Sequence, residues 1–323
     1  MPGLPEEWNE RIRAFQESRA ILTALELDLF TAVDGGATAE AAAAKMNTDA
    51  RATGMLLNAL AAIGLITKEG GVFRNAPVAA EFFSAESAAN IRPALLHTAH
   101  LWPRWSTLTE CVRTGTAVAR QEGAPEEWTE AFIAAMHRNA SERAPKVVAA
   151  VGAGGVRRML DVGGGSGAYS IAFAQANPAL KSDILDLAAV APIAQRHIDA
   201  AGVGARVHVR AGDLRTDDFG SGYDLVFISA ICHMLSPEEN QALLRRSHGA
   251  LAKGGRIAIQ DFILEPDKTA PKWGAVFALN MLVGTRAGSS YSEPEYAEWL
   301  KDAGFSEIRH VRLPGPASLM LGL

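Results

Sequence analysis

Asp161-Val162-Gly163-Gly164-Gly165-Ser166-Gly167 follows the apolar pair Met159-Leu160 and precedes a run with helical periodicity, so it reads as strand, tight loop and helix. A glycine-rich loop between a strand end and a helix N-terminus is a nucleotide-ligand site in α/β folds. Its glycines fall at Gly163, Gly165 and Gly167. A nicotinamide fingerprint carries its third glycine one residue later, beneath a pyrophosphate, and this spacing disfavours a dinucleotide. Asp161, just ahead of the first glycine, offers a carboxylate that would welcome a ligand ammonium and repel a pyrophosphate. S-adenosylmethionine carries that ammonium and no phosphate.

Outward from the loop, residues 182–186 read as the next strand, ending in Asp186 and followed by Leu187. From that position an acid binds ribose hydroxyls in doubly wound folds. The third strand, 206–210, runs into Gly212-Asp213-Leu214, where an acid and then an apolar residue can accept from an adenine amino group and cover the ring. Residues 223–228 read as a buried strand with Ser229 just past it, a further candidate for the cofactor. Any one of these carboxylates is an ordinary cap or loop residue, whereas acids on three successive strand ends point to one crevice.

Beyond the fourth strand comes Ile231-Cys232-His233-Met234-Leu235-Ser236-Pro237-Glu238-Glu239. Its second half reads as a capping box with proline at the first helical position. His233 is therefore expected in a loop at a strand's carboxyl end, the edge that faces the ligand crevice in an open sheet. With a near-neutral pKa, an imidazole there can take the proton of a phenol of pKa about 10 while the oxygen is methylated.

The glycine loop and the His233 segment together resemble the class I S-adenosylmethionine-dependent methyltransferases. More narrowly, they are similar to the plant caffeic-acid-type O-methyltransferases and their bacterial small-molecule relatives, including the acetylserotonin and hydroxyneurosporene types. The resemblance implies an S-adenosylmethionine-dependent O-methyltransferase without a metal, with His233 as base and Asp261 as the first of two acids flanking it. Ser290 stands where the family has its second acid, a Glu, and Met234-Leu235 where it has Asp-Trp. A hydroxyl can hold a ring by one hydrogen bond but cannot balance an imidazolium charge, so Asp261 is expected to carry most of the orienting role. Phe132, Met136 and Met281 match positions that clamp an aromatic acceptor, with Asn280 as a polar contact. Trp128 suits the pocket or the core equally, and His97, His100, Trp102 and Trp105 read as core. The resembled fold is α/β, a Rossmann-like doubly wound seven-stranded sheet of order 3-2-1-4-5-7-6 with strand 7 antiparallel. An N-terminal winged-helix dimerisation domain precedes it and makes a homodimer.

Residues 8–84 follow winged-helix order, helices and then a hairpin around Glu69-Gly70. The second helix of the pair, 48–63, offers Arg51 and Asn58 among Ala, Leu, Met and Ile, too apolar and too weakly basic a face to read DNA. The expected organisation is a dimerisation domain over 1–87, a helical segment over 88–152 that contributes to the substrate pocket, and a methyltransferase domain over 153–323. A net charge of −5 gives no reason to expect nucleic acid or an anionic membrane surface. Two cysteines, Cys111 and Cys232, suit a reducing cytoplasm, and no apolar run approaches the ~20 residues that span a bilayer. Three other readings stay open: carbon or nitrogen methylation on the same fold, a winged-helix sensor, and a nicotinamide dehydrogenase.

Overall fold

Strands rich in Val, Ile and Leu without polar alternation are what a sheet covered on both faces requires, and the second half of the chain supplies them. The computed structural model describes residues 3–118 and 126–323, divided into two compact units, Met1–Trp102 and Pro103–Leu323.

The first unit packs α1 (Glu6–Glu26), α2 (Leu29–Ala32), α3 (Ala39–Met46), α4 (Ala50–Ile63) and α5 (Pro77–Phe82) around an antiparallel hairpin of β1 (Ile66–Glu69) and β2 (Val72–Asn75). Capping sets the helix starts: Thr38 Oγ1 accepts from the Ala41 amide at 3.2 Å and Asp49 Oδ1 from the Ala52 amide at 2.8 Å. Phe30, Leu57 and Leu60 form the fully buried centre, and Ala99 and Trp102 pack against it. Along α1, Trp8, Ile12 and Phe15 recur at helical spacing and are exposed.

α6 (Arg92–Trp105) carries the boundary between the units. The second unit continues through α7 (Leu108–Thr114) and α8 (Glu126–Val151) into alternating strands and helices: β3 (Arg158–Val162), α9 (Ala168–Ala176), β4 (Lys181–Asp186), α10 (Ala191–Ala200), β5 (Val207–Ala211), β6 (Tyr223–Ser229), α11 (Pro237–Ala250) and β7 (Leu251–Asp261). Then follow α12 (Lys272–Gly284), α13 (Glu293–Asp302), β8 (Arg309–Arg312) and β9 (Ser318–Gly322). The seven strands lie in the order β5-β4-β3-β6-β7-β9-β8, with β9 antiparallel to both its neighbours, which is the expected topology. Side-chain alternation along the strands divides the core. Leu160, Val162, Val226 and Ile228 face Leu244, Tyr296 and Trp299 of α11 and α13, while Met159, Leu225 and Phe227 face Val147, Phe173 and Ile198 of α8, α9 and α10. β7 carries Lys253-Gly254-Gly255 within it, in an irregularity between the Tyr223 and Leu225 pairings.

Parallel pairing brings the carboxyl ends of β3, β4, β5, β6 and β7 to one edge, and with them the candidate residues. α11 starts sharply there: Ser236 Oγ accepts from the Glu239 amide at 3.2 Å, and Glu239 Oε2 accepts from the Ser236 amide at 2.8 Å. Ser236→Ala is expected to lower stability by about 1 kcal/mol, read as a shift of the urea midpoint.

Candidate active site

The loop between β3 and α9 turns on glycine. Gly163, Gly165 and Gly167 have φ of +70°, +57° and +76°, values that side chains rarely tolerate. A Cβ on Gly163 would stand 2.4 Å from Ile231 Cδ1, and one on Gly164 2.8 Å from both Asp161 Cγ and Ile184 Cγ2. One on Gly165 would meet nothing within 4 Å. The loop is pressed onto its neighbours at its first two glycines and open at the third position, where a ligand can lie.

Asp186 closes one side of that opening. Its Oδ2 accepts from the Gly165 amide and its Oδ1 from the Leu187 amide, both at 2.7 Å. An amide that could have cradled a phosphate already faces a carboxylate, which fits a phosphate-free ligand bearing ribose hydroxyls. Burial raises the Asp186 pKa, while the Gly165 and Leu187 amides oppose the rise. Gly212 donates its amide to the Asp186 carbonyl at 2.8 Å, Asp213 Oδ1 accepts from the Arg215 amide at 2.8 Å, and Leu214 lies beside Gly163. Leu187 is exposed, and Ser229 Oγ donates to Gln260 Oε1 at 3.2 Å.

Asp161 faces the loop from below rather than from the open crevice. Its side chain is fully buried, accepts from Ser170 Oγ at 2.7 Å, and has Oδ1 without a hydrogen-bond partner among the described residues. Burial pushes its pKa up to about 7, with the charge of Asp186 adding to the rise. Ser170 also bonds Ser182 at 2.9 Å, so the carboxyl fastens β3 to α9 and β4. On the other flank His137 Nδ1 lies 2.9 Å from Ser166 Oγ, and its ring stacks on that of His197 at 3.7 Å.

The base candidate is built into the turn after β6. Ala230 takes φ +56°, and the one-turn helix Cys232–Met234 then carries His233, only 7% exposed. His233 Nδ1 lies 2.7 Å from Asp261 Oδ1 at the end of β7. A carboxylate on Nδ1 assigns the hydrogen to that nitrogen and leaves the Nε2 lone pair to accept a proton. The turn is gripped from behind: the Ser289 amide donates to the His233 carbonyl at 2.9 Å, and a Cβ on Gly288 would stand 2.4 Å from that oxygen. Asn240 Nδ2 donates to the Cys232 carbonyl at 2.9 Å. Ser290 Oγ, where the resembled family has its second acid, is buried and has no partner among the described residues.

The sequence matches the family model for an O-methyltransferase domain over residues 110–306, and that for an O-methyltransferase dimerisation domain over residues 10–85. The chain belongs to the O-methyltransferase family. Among relatives of this O-methyltransferase-family protein, the 3-hydroxy-5-methyl-1-naphthoate 3-O-methyltransferase of Streptomyces sahachiroi is 33% identical, over 94% of this chain and 90% of that protein. The L-tyrosine C(3)-methyltransferase of Streptomyces lavendulae is 31% identical, over 94% of this chain and 86% of that protein. The methyl transferase PigF, known from Serratia sp., has a solved structure with SAH that superposes with a TM-score of 0.90 at 27% identity, over 99% of both chains.

In this O-methyltransferase the wall beside His233 is aromatic, and the sequence reading missed it. Phe277 meets the His233 ring edge-on at 5.0 Å; Phe262 lies 4.5 Å from Phe277, and Trp273 stacks on Phe277 at 4.8 Å. Trp273 is half exposed, so the wall ends in an open indole face. The signal was present, since Trp273 and Phe277 are four apart in a helix and Phe262 follows Asp261 directly. Of the expected acceptor residues, Met281 is buried in α12 and Met136 is exposed on α8, so the two thioethers have different surroundings. Asn280 Oδ1 accepts from Trp105 Nε1 at 2.9 Å, giving that indole a polar partner rather than a purely core role. The side chains of Phe132 and Trp128 lie outside the described residues.

The raised Asp161 pKa has a stability consequence. Between its ordinary value of 3.8 and about 7 the folded state holds a proton that the unfolded chain has released, so this group's contribution to stability falls as pH rises across that window. Asp161→Asn is expected to flatten the loss, on the order of 1–4 kcal/mol between pH 4 and pH 8, in denaturant midpoints measured against pH.

Proposed function

We propose that the protein transfers a methyl group from S-adenosylmethionine to a hydroxyl of a small aromatic or polyketide-like molecule, with His233 as general base and Asp261 as its partner. The carrying observation is the buried 2.7 Å contact between His233 Nδ1 and Asp261, set beside an aromatic wall at the edge that holds the glycine loop. Bound S-adenosylmethionine supplies an electrophilic methyl on a sulfonium. Gly163, Gly165 and Gly167 give its methionyl end close backbone approach, with Asp161 beneath them. Asp186 and Leu187 take the ribose, Gly212, Asp213 and Leu214 the adenine, and Ser229 the strand-end side. A flat acceptor lies against Phe277 and Trp273, with Met281, Asn280, Met136 and Phe132 completing its surroundings. His233 Nε2 takes the hydroxyl proton as the oxygen attacks, and Asp261 holds the imidazolium that results. Positioning supplies much of the rate, because an in-line transfer needs alignment more than charge neutralisation.

The reading extends to assembly. Residues 1–87 act as a winged-helix dimerisation domain that makes a homodimer; the exposed Trp8, Ile12 and Phe15 of α1 suit such a contact, as does the matched dimerisation family. Residues 88–152 contribute to the pocket, and 153–323 bind the cofactor. The two cysteines are free and buried, which suits the reducing cytoplasm. No nucleic-acid or membrane partner is part of the proposal, and among the described residues no helix is long and apolar enough to cross a membrane.

Carbon or nitrogen methylation is a second reading, favoured by the missing second acid at Ser290 and by the tyrosine C(3)-methyltransferase among the relatives. His233→Ala separates the two. Under the proposal it lowers turnover about 10²- to 10⁴-fold on a phenolic acceptor while calorimetric affinity for S-adenosylhomocysteine stays within about 2-fold. Turnover that survives the change moves the assignment to carbon or nitrogen. Trp273→Ala is expected to raise the acceptor KM by roughly 2- to 10-fold with kcat little changed, as loss of a stacking face predicts.

A further inference from the structure

Asp261 carries more partners than a carboxylate needs merely to hold a histidine. Oδ1 accepts from His233 Nδ1 at 2.7 Å and from the Phe262 amide at 2.8 Å; Oδ2 accepts from the His233 amide at 3.1 Å and from the Tyr296 hydroxyl at 3.2 Å. Two donors on each oxygen fill the lone-pair directions of a group that is 2% exposed. Three of the four come from the base turn and the strand end itself. The fourth reaches in from α13, across the sheet face, from a side chain 1% exposed.

We propose that Tyr296 is a positioning residue for the base: by donating to Asp261 Oδ2 it lowers the basicity of that carboxylate and so sets the pKa of His233. The inference rests on the reading of His233 as general base and adds a residue that never meets substrate. Burial, and then the charge of Asp261, raise the Tyr296 pKa well above its ordinary value, so it stays a donor at any working pH. The Cys232 thiol, in hydrogen-bonding contact with the same hydroxyl, is likewise pushed up by burial and stays neutral. Of the other ionisable groups around the turn, Tyr291 donates to the Leu235 carbonyl at 2.5 Å. Glu238 and Glu239 open α11 and Glu295 opens α13, each engaged in a cap. Among the described residues none of these has a hydrogen bond to Asp261, whereas Tyr296 does.

The sign follows from hydrogen bonding. A donor removed from a buried carboxylate leaves it more basic; the carboxylate then holds an imidazolium more tightly, and the His233 pKa rises. Tyr296→Phe is expected to raise the His233 midpoint by about 0.5 to 1 pH unit, read by NMR titration of histidine-labelled protein with the resonance assigned by its loss in His233→Ala. The acid limb of kcat/KM moves up by the same amount, so that activity falls roughly 3- to 10-fold below the midpoint and converges with wild type above it. Biosynthetic 3-fluorotyrosine at position 296, a stronger donor of nearly the same size, moves both readouts the opposite way and serves if the Phe variant fails to fold. An unmoved His233 midpoint in both proteins overturns the proposal, even where activity falls at every pH, because packing alone would do that. A midpoint that moves in an enzyme whose wild-type profile has no acid limb upholds the role of Tyr296 and removes His233 as the base.

Discussion

The structure depends on a contact that only an absent side chain permits. At Gly163 the end of β3, Ile231 of the base turn and Leu214 of the third loop meet, and a Cβ there would stand 2.4 Å from the isoleucine. The distance between the glycine loop and His233 is therefore set by van der Waals contact with backbone, which yields far less than a chain of hydrogen bonds through flexible side chains. A reaction that needs three atoms in line tolerates little slack, and a misplacement of about 1 Å can cost 10²-fold. Gly288 repeats the device on the far side of the turn, where it lies against the His233 carbonyl. The base is held between two glycines.

Asp161, Asp186 and Asp261, three of the acids at strand ends, differ in surroundings and hence in what they can do. Asp161 is fully buried with one oxygen unpartnered among the described residues, and burial drives its pKa up to about 7. Asp186 is less enclosed and has an amide on each oxygen, so its charge is partly spoken for while lone pairs remain for hydroxyls. Asp261 is nearly as buried as Asp161, yet its oxygens are filled by donors that stabilise the charged form. A carboxylate's hydrogen-bond complement, as well as its depth, governs how strongly burial disfavours its charge.

Most of the fold was legible because its signals are local. Alternating glycines, apolar runs ending in acids and the capping box of Ser236 and Glu239 each fix a strand end or a helix start within a few residues. His233 could be placed because strand ends in a parallel sheet share an edge, whereas Asp261 was named through the family resemblance. What the sequence hid were contacts between distant elements. Nothing near Tyr296 says that its hydroxyl crosses a sheet face to Asp261, and nothing in Asp161 says that Gly164 closes over it. The aromatic wall is intermediate: its helical half obeys a four-residue spacing, but its union with Phe262 and His233 arises only when α12 packs against the end of β7. Ser290 brings no charge to the position where the resemblance expects an acid, and that its buried hydroxyl has no partner among the described residues needed coordinates.

The antiparallel strand β9 has a bearing on how such a molecule comes into being. It lies between β7 and β8 with all five of its residues buried, and the backbone of Leu323 is paired with that of Ser306 just beyond it. β8 is made earlier but has no place in the sheet until β9 arrives to join it to β7. While the chain is growing, the edge of β7 that carries Asp261 stays open, an unpaired template for any passing strand. The sheet can close only through pairings between segments far apart in sequence, which is slow and leaves the partly made chain prone to association. Anything that weakens the pairing of residues 318–322 prolongs that vulnerable interval, because the open side of β7 is covered by no other strand.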